Sequence, residues 1–154
     1  MVVWRFTQHL ALDGRGGLFA SARWHTRGHE ILYCAPNSAT ALLEVLVNSG
    51  VRDAEAFGGF HFLKLDVPDE IRTERIDEGQ LPADWSQHLE LTRARGDQWL
   101  REERSVALQV PSVLVPETYN VLINPRHAEA ARITRLASFP YPLDPRLFRP
   151  ASAD

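Results

Sequence analysis

The chain has almost no lysine: Lys64 stands alone, and every other basic residue is arginine. That bias fits genomic base composition, although arginine also suits bidentate recognition of phosphate. Cysteine is equally scarce. With Cys34 as the single thiol, no internal disulfide can form, and the expected location is a reducing compartment, the cytoplasm. No apolar run approaches the roughly 18 residues that a bilayer-spanning helix requires. Residues 1–9 lack the apolar stretch of a secretory signal. Charge of one sign is lacking too. The 17 basic and 20 acidic residues leave a net charge of −3 and form no Lys/Arg cluster, so neither direct nucleic-acid binding nor membrane association is expected.

Several catalytic signatures are also missing. No Gly-x-Gly-x-x-Gly follows a strand and no Gly-x₄-Gly-Lys-Ser/Thr occurs, which argues against a dinucleotide-binding Rossmann unit and a P-loop. His25 and His29 are four apart, but Gly28 lies between them and no third ligand is obvious, so no metal site is expected. Ser112 with His127 and an Asp makes a conceivable hydrolase triad, yet Val110-Pro111-Ser112-Val113 is not a nucleophile elbow.

What is present is enough apolar material for a core. Hydrophobic residues make up 44% of the 154, with four Trp and seven Phe, which excludes a disordered chain. The length predicts a single domain over residues 1–150, with residues 151–154 as a disordered tail. Residues 2–7 and 30–35 read as strands. Pro36-Asn37-Ser38 is a helix start, and Ala39, Leu42, Leu43 and Leu46 then fall at helical spacing until Asn48-Ser49-Gly50 ends the run. Glu44 lies nearly opposite that apolar stripe, so it points to solvent or into a cleft beside the helix. Residues 60–67, 105–115, 119–123 and 133–137 read as further strands. Residues 85–103 lean towards helix, with Gly96 expected to interrupt it, and a short helix is expected at 128–131. The pattern predicts an α+β fold. By themselves, Arg23 reads as a surface residue, Tyr33 as a core aromatic and Glu44 as an exposed carboxylate.

The order of several phrases adds to this. Trp4-Arg5-Phe6, Ser21-Ala22-Arg23-Trp24-His25-x-x-Gly28, Leu32-Tyr33-Cys34-Ala35 and Ala41-Leu42-Leu43-Glu44-Val45-Leu46 occur in succession. They are followed by Leu81-Pro82-x-x-Trp85, Gly96-Asp97-x-Trp99-Leu100, Val110-Pro111-Ser112, Asn120-x-x-x-Asn124-Pro125-x-His127 and Asp144-x-Arg146-Leu147. From about residue 3 to 148 the chain resembles the RES domain, named for an Arg, a Glu and a Ser, which here correspond to Arg23, Glu44 and Ser112. One departure is visible: the family's usual Gly-Gly-Arg-Trp-Asn stands here as Ser21-Ala22-Arg23-Trp24-His25.

The resemblance implies an ADP-ribosyltransferase-like fold, with split, mostly antiparallel sheets, flanking helices and an NAD⁺ cleft. It also implies a toxin neutralised by an Xre-type helix-turn-helix antitoxin. Such toxins degrade NAD⁺ by hydrolysis or phosphorolysis, or transfer ADP-ribose to a protein, and they need no metal. Glu44 would then stabilise the ribosyl cation left when nicotinamide departs. Arg23 would pair with the pyrophosphate, and Tyr33 would stack on the nicotinamide ring. Ser112 would bind the ribose or orient Glu44, and Arg5 would make a further phosphate or ribose contact. A catalytically silent binding module is the reading of another class, against which the retained Arg23, Tyr33 and Glu44 speak.

Overall fold

The computed structural model describes residues 1–50 and 54–148. The expected tail at residues 151–154 lies outside them. Two sheets form the frame. The first contains β1 (Val2–Thr7), β3 (His61–Asp66) and β7 (Thr134–Pro140), with β3 central and all pairings antiparallel. The second orders β2 (Leu32–Cys34), β6 (Tyr119–Ile123), β5 (Ala107–Pro111) and β4 (Thr73–Arg75), where only the β4–β5 pair is parallel. Trp4 and Ala35 exchange two 2.8 Å backbone hydrogen bonds, which tie β1 to the end of β2. The α+β, split-sheet expectation holds, and β4 is an element that the sequence pattern did not indicate.

The alternation of side chains along β1 explains the layering. Val3 faces the core between the sheets, where it meets Leu32, Leu63, Leu65 and Val121. Phe6 faces the other way, into a cluster with Phe57, Phe62 and Ala41 of α1 (Ser38–Ser49). Asn37 caps α1 by accepting from Thr40 N at 2.8 Å, and Gly50 closes it with φ 65°. The buried stripe of α1 is not the expected one. Ala41, Leu42, Val45 and Leu46 pack on the first sheet, whereas Ala39 and Leu43 are exposed.

The helix α2 (Leu89–Glu102) covers the second sheet, placing Trp99 and Leu100 with Trp24, Trp85, Leu108 and Leu122. Gly96 does not interrupt it. A Cβ at that position would lie 1.7 Å from the Trp24 carbonyl oxygen, so glycine here permits a close approach of helix to loop and is not a breaker. Around it the same face of α2 grips that loop. Thr92 Oγ1 donates to Arg23 O at 2.6 Å, Arg93 Nε to Ala22 O at 2.9 Å, and Thr26 N to Asp97 Oδ1 at 2.8 Å. The short helix expected at 128–131 is a 3₁₀ turn at Ala130–Arg132.

Candidate active site

A cleft of about 640 Å³ opens where α1, the Arg23 loop and the junction of the two sheets meet. That volume lies within the range of small-molecule sites. On α1, Ala41, Glu44, Val45 and Asn48 line it at i, i+3, i+4 and i+7. Arg23 and Tyr33 line it from the loop and β2, and Asn120 from β6. The structure thus brings Glu44, Arg23 and Tyr33 to one cavity.

The environment of Glu44 is asymmetric. Its Oε1 accepts from Ser112 Oγ at 2.9 Å and from Asn120 Nδ2 at 2.6 Å, whereas among the described residues Oε2 has only a 3.4 Å contact with Asn48 Nδ2. Oε1 is therefore committed to the protein, and Oε2 retains most of its capacity to accept. Ser112 itself is buried, and its Oγ also accepts from Leu114 N at 3.1 Å and Val115 N at 3.2 Å. With both lone pairs engaged, the hydroxyl can only donate, and its hydrogen goes to Glu44. Ser112 acts from behind the carboxylate, since the cleft surface is formed by its neighbours Pro111, Val113 and Leu114.

Arg23 donates from Nη1 to Ser86 O at 2.8 Å and sits 5.9 Å from the Trp85 ring centroid. Partial burial lowers its pKa from the ordinary guanidinium value, and the negative charge of Glu44 opposes that shift. Tyr33 is fixed by its hydroxyl, which receives Trp24 N–H at 3.2 Å and lies 2.9 Å from His25 Nδ1. Burial pushes the phenol pKa well up, so Tyr33 is a neutral ring. Cys34 also lines the cleft, but burial raises its thiol pKa to about 11, which leaves little thiolate to act as a nucleophile at neutral pH.

Arg5 is placed differently. It alternates with the cleft-lining Trp4 and Phe6 on β1, does not line the cavity, and donates weakly from Nη1 to Tyr33 O at 3.4 Å. Its Nε is buried without a hydrogen-bond partner among the described residues, and burial lowers its pKa. Asn120 opens the phrase Asn120-x-x-x-Asn124, but no local sequence pattern marks it as a site residue. Its Oδ1 is buried and has no hydrogen-bond partner among the described residues. Among the described residues, no three His, Cys, Asp or Glu side chains converge as metal ligands. Both ring nitrogens of His25 have hydrogen-bond partners within the chain.

Known proteins resemble the chain over nearly its whole length. It is 37% identical over 133 residues to "Toxin Res" of Pseudomonas putida, which covers 84% of this chain and 88% of that protein. It is 35% identical to "Prs ADP-ribosylating toxin" of a Sphingobium species, covering 91% and 88% respectively. Among solved structures, the Mycobacterium tuberculosis MbcT–MbcA toxin–antitoxin complex matches with a TM-score of 0.72 at 16% identity, over 96% of this chain and 86% of that one. That likeness concerns the fold alone, a split pair of sheets with flanking helices. The RES domain profile matches residues 2–144, and with these relatives it shows that the chain belongs to the RES domain family.

Proposed function

We propose that the protein is the toxin of a toxin–antitoxin pair and that it cleaves the nicotinamide–ribose bond of NAD⁺. The observation that carries this reading is the polarised Glu44 carboxylate, held through one oxygen by Ser112 and Asn120 in a cleft that also presents Arg23 and Tyr33. Cleavage sends the bonding electron pair to the nicotinamide nitrogen, which becomes neutral. The ribose is left as an oxocarbenium-like cation that a nucleophile captures with loss of a proton. A carboxylate beside that carbon stabilises the growing positive charge, and its freer oxygen, Oε2, suits the ribose 2′-hydroxyl. Arg23 supplies a planar cation for the pyrophosphate. The Tyr33 ring supplies a stacking surface for nicotinamide. Ser112 and Asn120 orient Glu44, and Arg5 acts from behind the Tyr33 backbone. No step calls for a metal.

Two acceptor classes remain within this reading. Water or phosphate would deplete the cofactor, whereas the name of the Sphingobium relative favours transfer of ADP-ribose to a protein. A toxin of this kind acts in the cytoplasm and requires an antitoxin, for which an Xre-type helix-turn-helix protein is proposed. The decisive experiment incubates purified protein with NAD⁺, with and without inorganic phosphate and cell extract, and identifies the products by mass spectrometry. Free ADP-ribose, its 1″-phosphate or a modified protein would each support bond cleavage. Intact NAD⁺ in all arms would overturn it in favour of a silent binding module.

A further inference from the structure

His25 is one of the three positions, with Ser21 and Ala22, at which this chain departs from the usual phrase of its family, and it is almost fully buried at 3% exposure. Its ring lies 5.6 Å from the Tyr33 ring, tilted by 49°. Nε2 is 2.9 Å from Ala20 O and Nδ1 is 2.9 Å from the Tyr33 hydroxyl. A carbonyl oxygen can only accept, so Nε2 carries the hydrogen. In a neutral imidazole, Nδ1 is then an acceptor. The Tyr33 hydroxyl therefore donates to His25 and uses its own oxygen to receive Trp24 N–H. The chain of bonds runs from Trp24 through Tyr33 and His25 to Ala20, and it closes around the loop that carries Arg23. Ala22 and His25 also pair across that loop, with Ala22 N donating to His25 O at 3.1 Å.

We propose that His25 is a positioning residue for the cleft: it fixes the Tyr33 ring as a wall for the ligand and ties that wall to the Arg23 loop. The proposal rests on the NAD⁺ reading for its ligand but not for its geometry. The phenol has no hydrogen left to offer the ligand, so Tyr33 contributes a ring face of fixed orientation. The sequence alone gives no sign of this, because His25 and Tyr33 are joined only by the fold.

Two isosteric variants separate the two bonds. In His25→Asn the amide oxygen takes the place of Nδ1 and can still accept from Tyr33, whereas in His25→Gln the amide nitrogen takes the place of Nε2 and can serve only Ala20. Nicotinamide release is measured for both, for Tyr33→Phe and for the double variant His25→Gln/Tyr33→Phe, with thermal melts as a control for folding. The expected result is a rise in KM of about three- to tenfold in His25→Gln with kcat less affected, the scale of one lost hydrogen bond. Tyr33→Phe should match it, the double variant should add nothing further, and His25→Asn should restore most of the loss. A folded His25→Gln with unchanged KM, or effects that multiply in the double variant, would overturn the proposal. If the wild type releases no nicotinamide, it is the NAD⁺ reading that fails. The positioning claim is then decided by the imidazole ¹⁵N shifts of the wild type, where the Nε2–H tautomer supports it and the Nδ1–H tautomer or an imidazolium at neutral pH overturns it.

Discussion

The Ser112 hydroxyl gives its one hydrogen to Glu44 across 2.9 Å while two backbone N–H groups fill its lone pairs. The serine is thereby excluded as a nucleophile and fixed as a donor to the carboxylate. Ser112→Ala should leave Glu44 with one donor to Oε1 in place of two. We expect kcat to fall by about tenfold or more, on the scale of a hydrogen bond to a charged group, with KM for NAD⁺ changed less. Steady-state assays of nicotinamide release would detect this, and an unchanged kcat would remove Ser112 from the site.

Glu44→Gln keeps an amide oxygen able to accept from both Ser112 and Asn120 but removes the charge. The fold should survive, with a melting temperature within a few degrees of the parent. Activity should drop about 100- to 1,000-fold, as for the loss of one preorganised stabilising group. A folded and fully active variant would remove the carboxylate from the chemistry.

Arg23→Lys retains a positive charge but loses the planar fork that grips a pyrophosphate. The expected outcome is a KM for NAD⁺ raised about tenfold or more, from the loss of a charge-assisted bond. Isothermal titration with ADP-ribose is an independent check, because that ligand has the pyrophosphate but not the nicotinamide.

Gly96→Ala removes a poor helix former, which by propensity alone would stabilise α2 by about 1 kcal/mol. The added Cβ, however, would lie 1.7 Å from the Trp24 carbonyl oxygen, and forcing apart well-packed backbone typically costs about 1–3 kcal/mol or more. The collision should win. A melting temperature several degrees below the parent is expected, and an increase would show that the helix and the Arg23 loop are not in contact.

Burial lowers the His25 pKa, opposed by the Ala20 carbonyl and by Asp97 and reinforced by His29. The unfolded chain therefore takes up a proton at His25 before the folded one does. Its contribution to stability is complete above the unfolded value of roughly 6.5 and is lost as pH falls through the folded value. Denaturant midpoints should decline from pH 7 to 5, and less so in His25→Gln. His88, whose pKa is raised first by its hydrogen bond to Asp84, works in the opposite sense but sits half-exposed at the surface. An equal decline in both proteins would assign the pH dependence to other groups.

Local signals carried much of the fold into the sequence. The β-branched and aromatic run of β1 and the cap at Asn37 were legible because each depends on neighbouring residues. The buried stripe of α1 keeps Leu42 and Leu46 of the expected set but takes Ala41 and Val45 in place of Ala39 and Leu43, which are as apolar, and only the position of the first sheet selects between them. The Thr-Glu-Arg of β4 has no apolar pattern, and its parallel pairing to β5 supplies what the sequence does not. Gly96 looked like a breaker because the carbonyl it accommodates is some seventy positions earlier in the chain. Arg23, Tyr33 and Glu44 could be named through family spacing. The part played by Asn120 depends on the register of β6 against β5, which no local pattern carries.

Glu44 rides on α1, which rests on the first sheet, while the donors to its Oε1 come from the second, Asn120 on β6 and Ser112 directly after β5. The carboxylate is thus a rivet between layers as well as a charge. Any small or apolar replacement would strand the hydrogens of Ser112 and Asn120 in a partly buried setting, at a cost of up to about 1–3 kcal/mol for each group left unsatisfied. Bacteria selected to survive the unrestrained toxin would therefore yield changes at position 44 that mix lost chemistry with lost structure. The frequency of such survivors is a poor measure of what the carboxylate does in the reaction. Glutamine is the informative allele, because it leaves the rivet in place and removes only the charge.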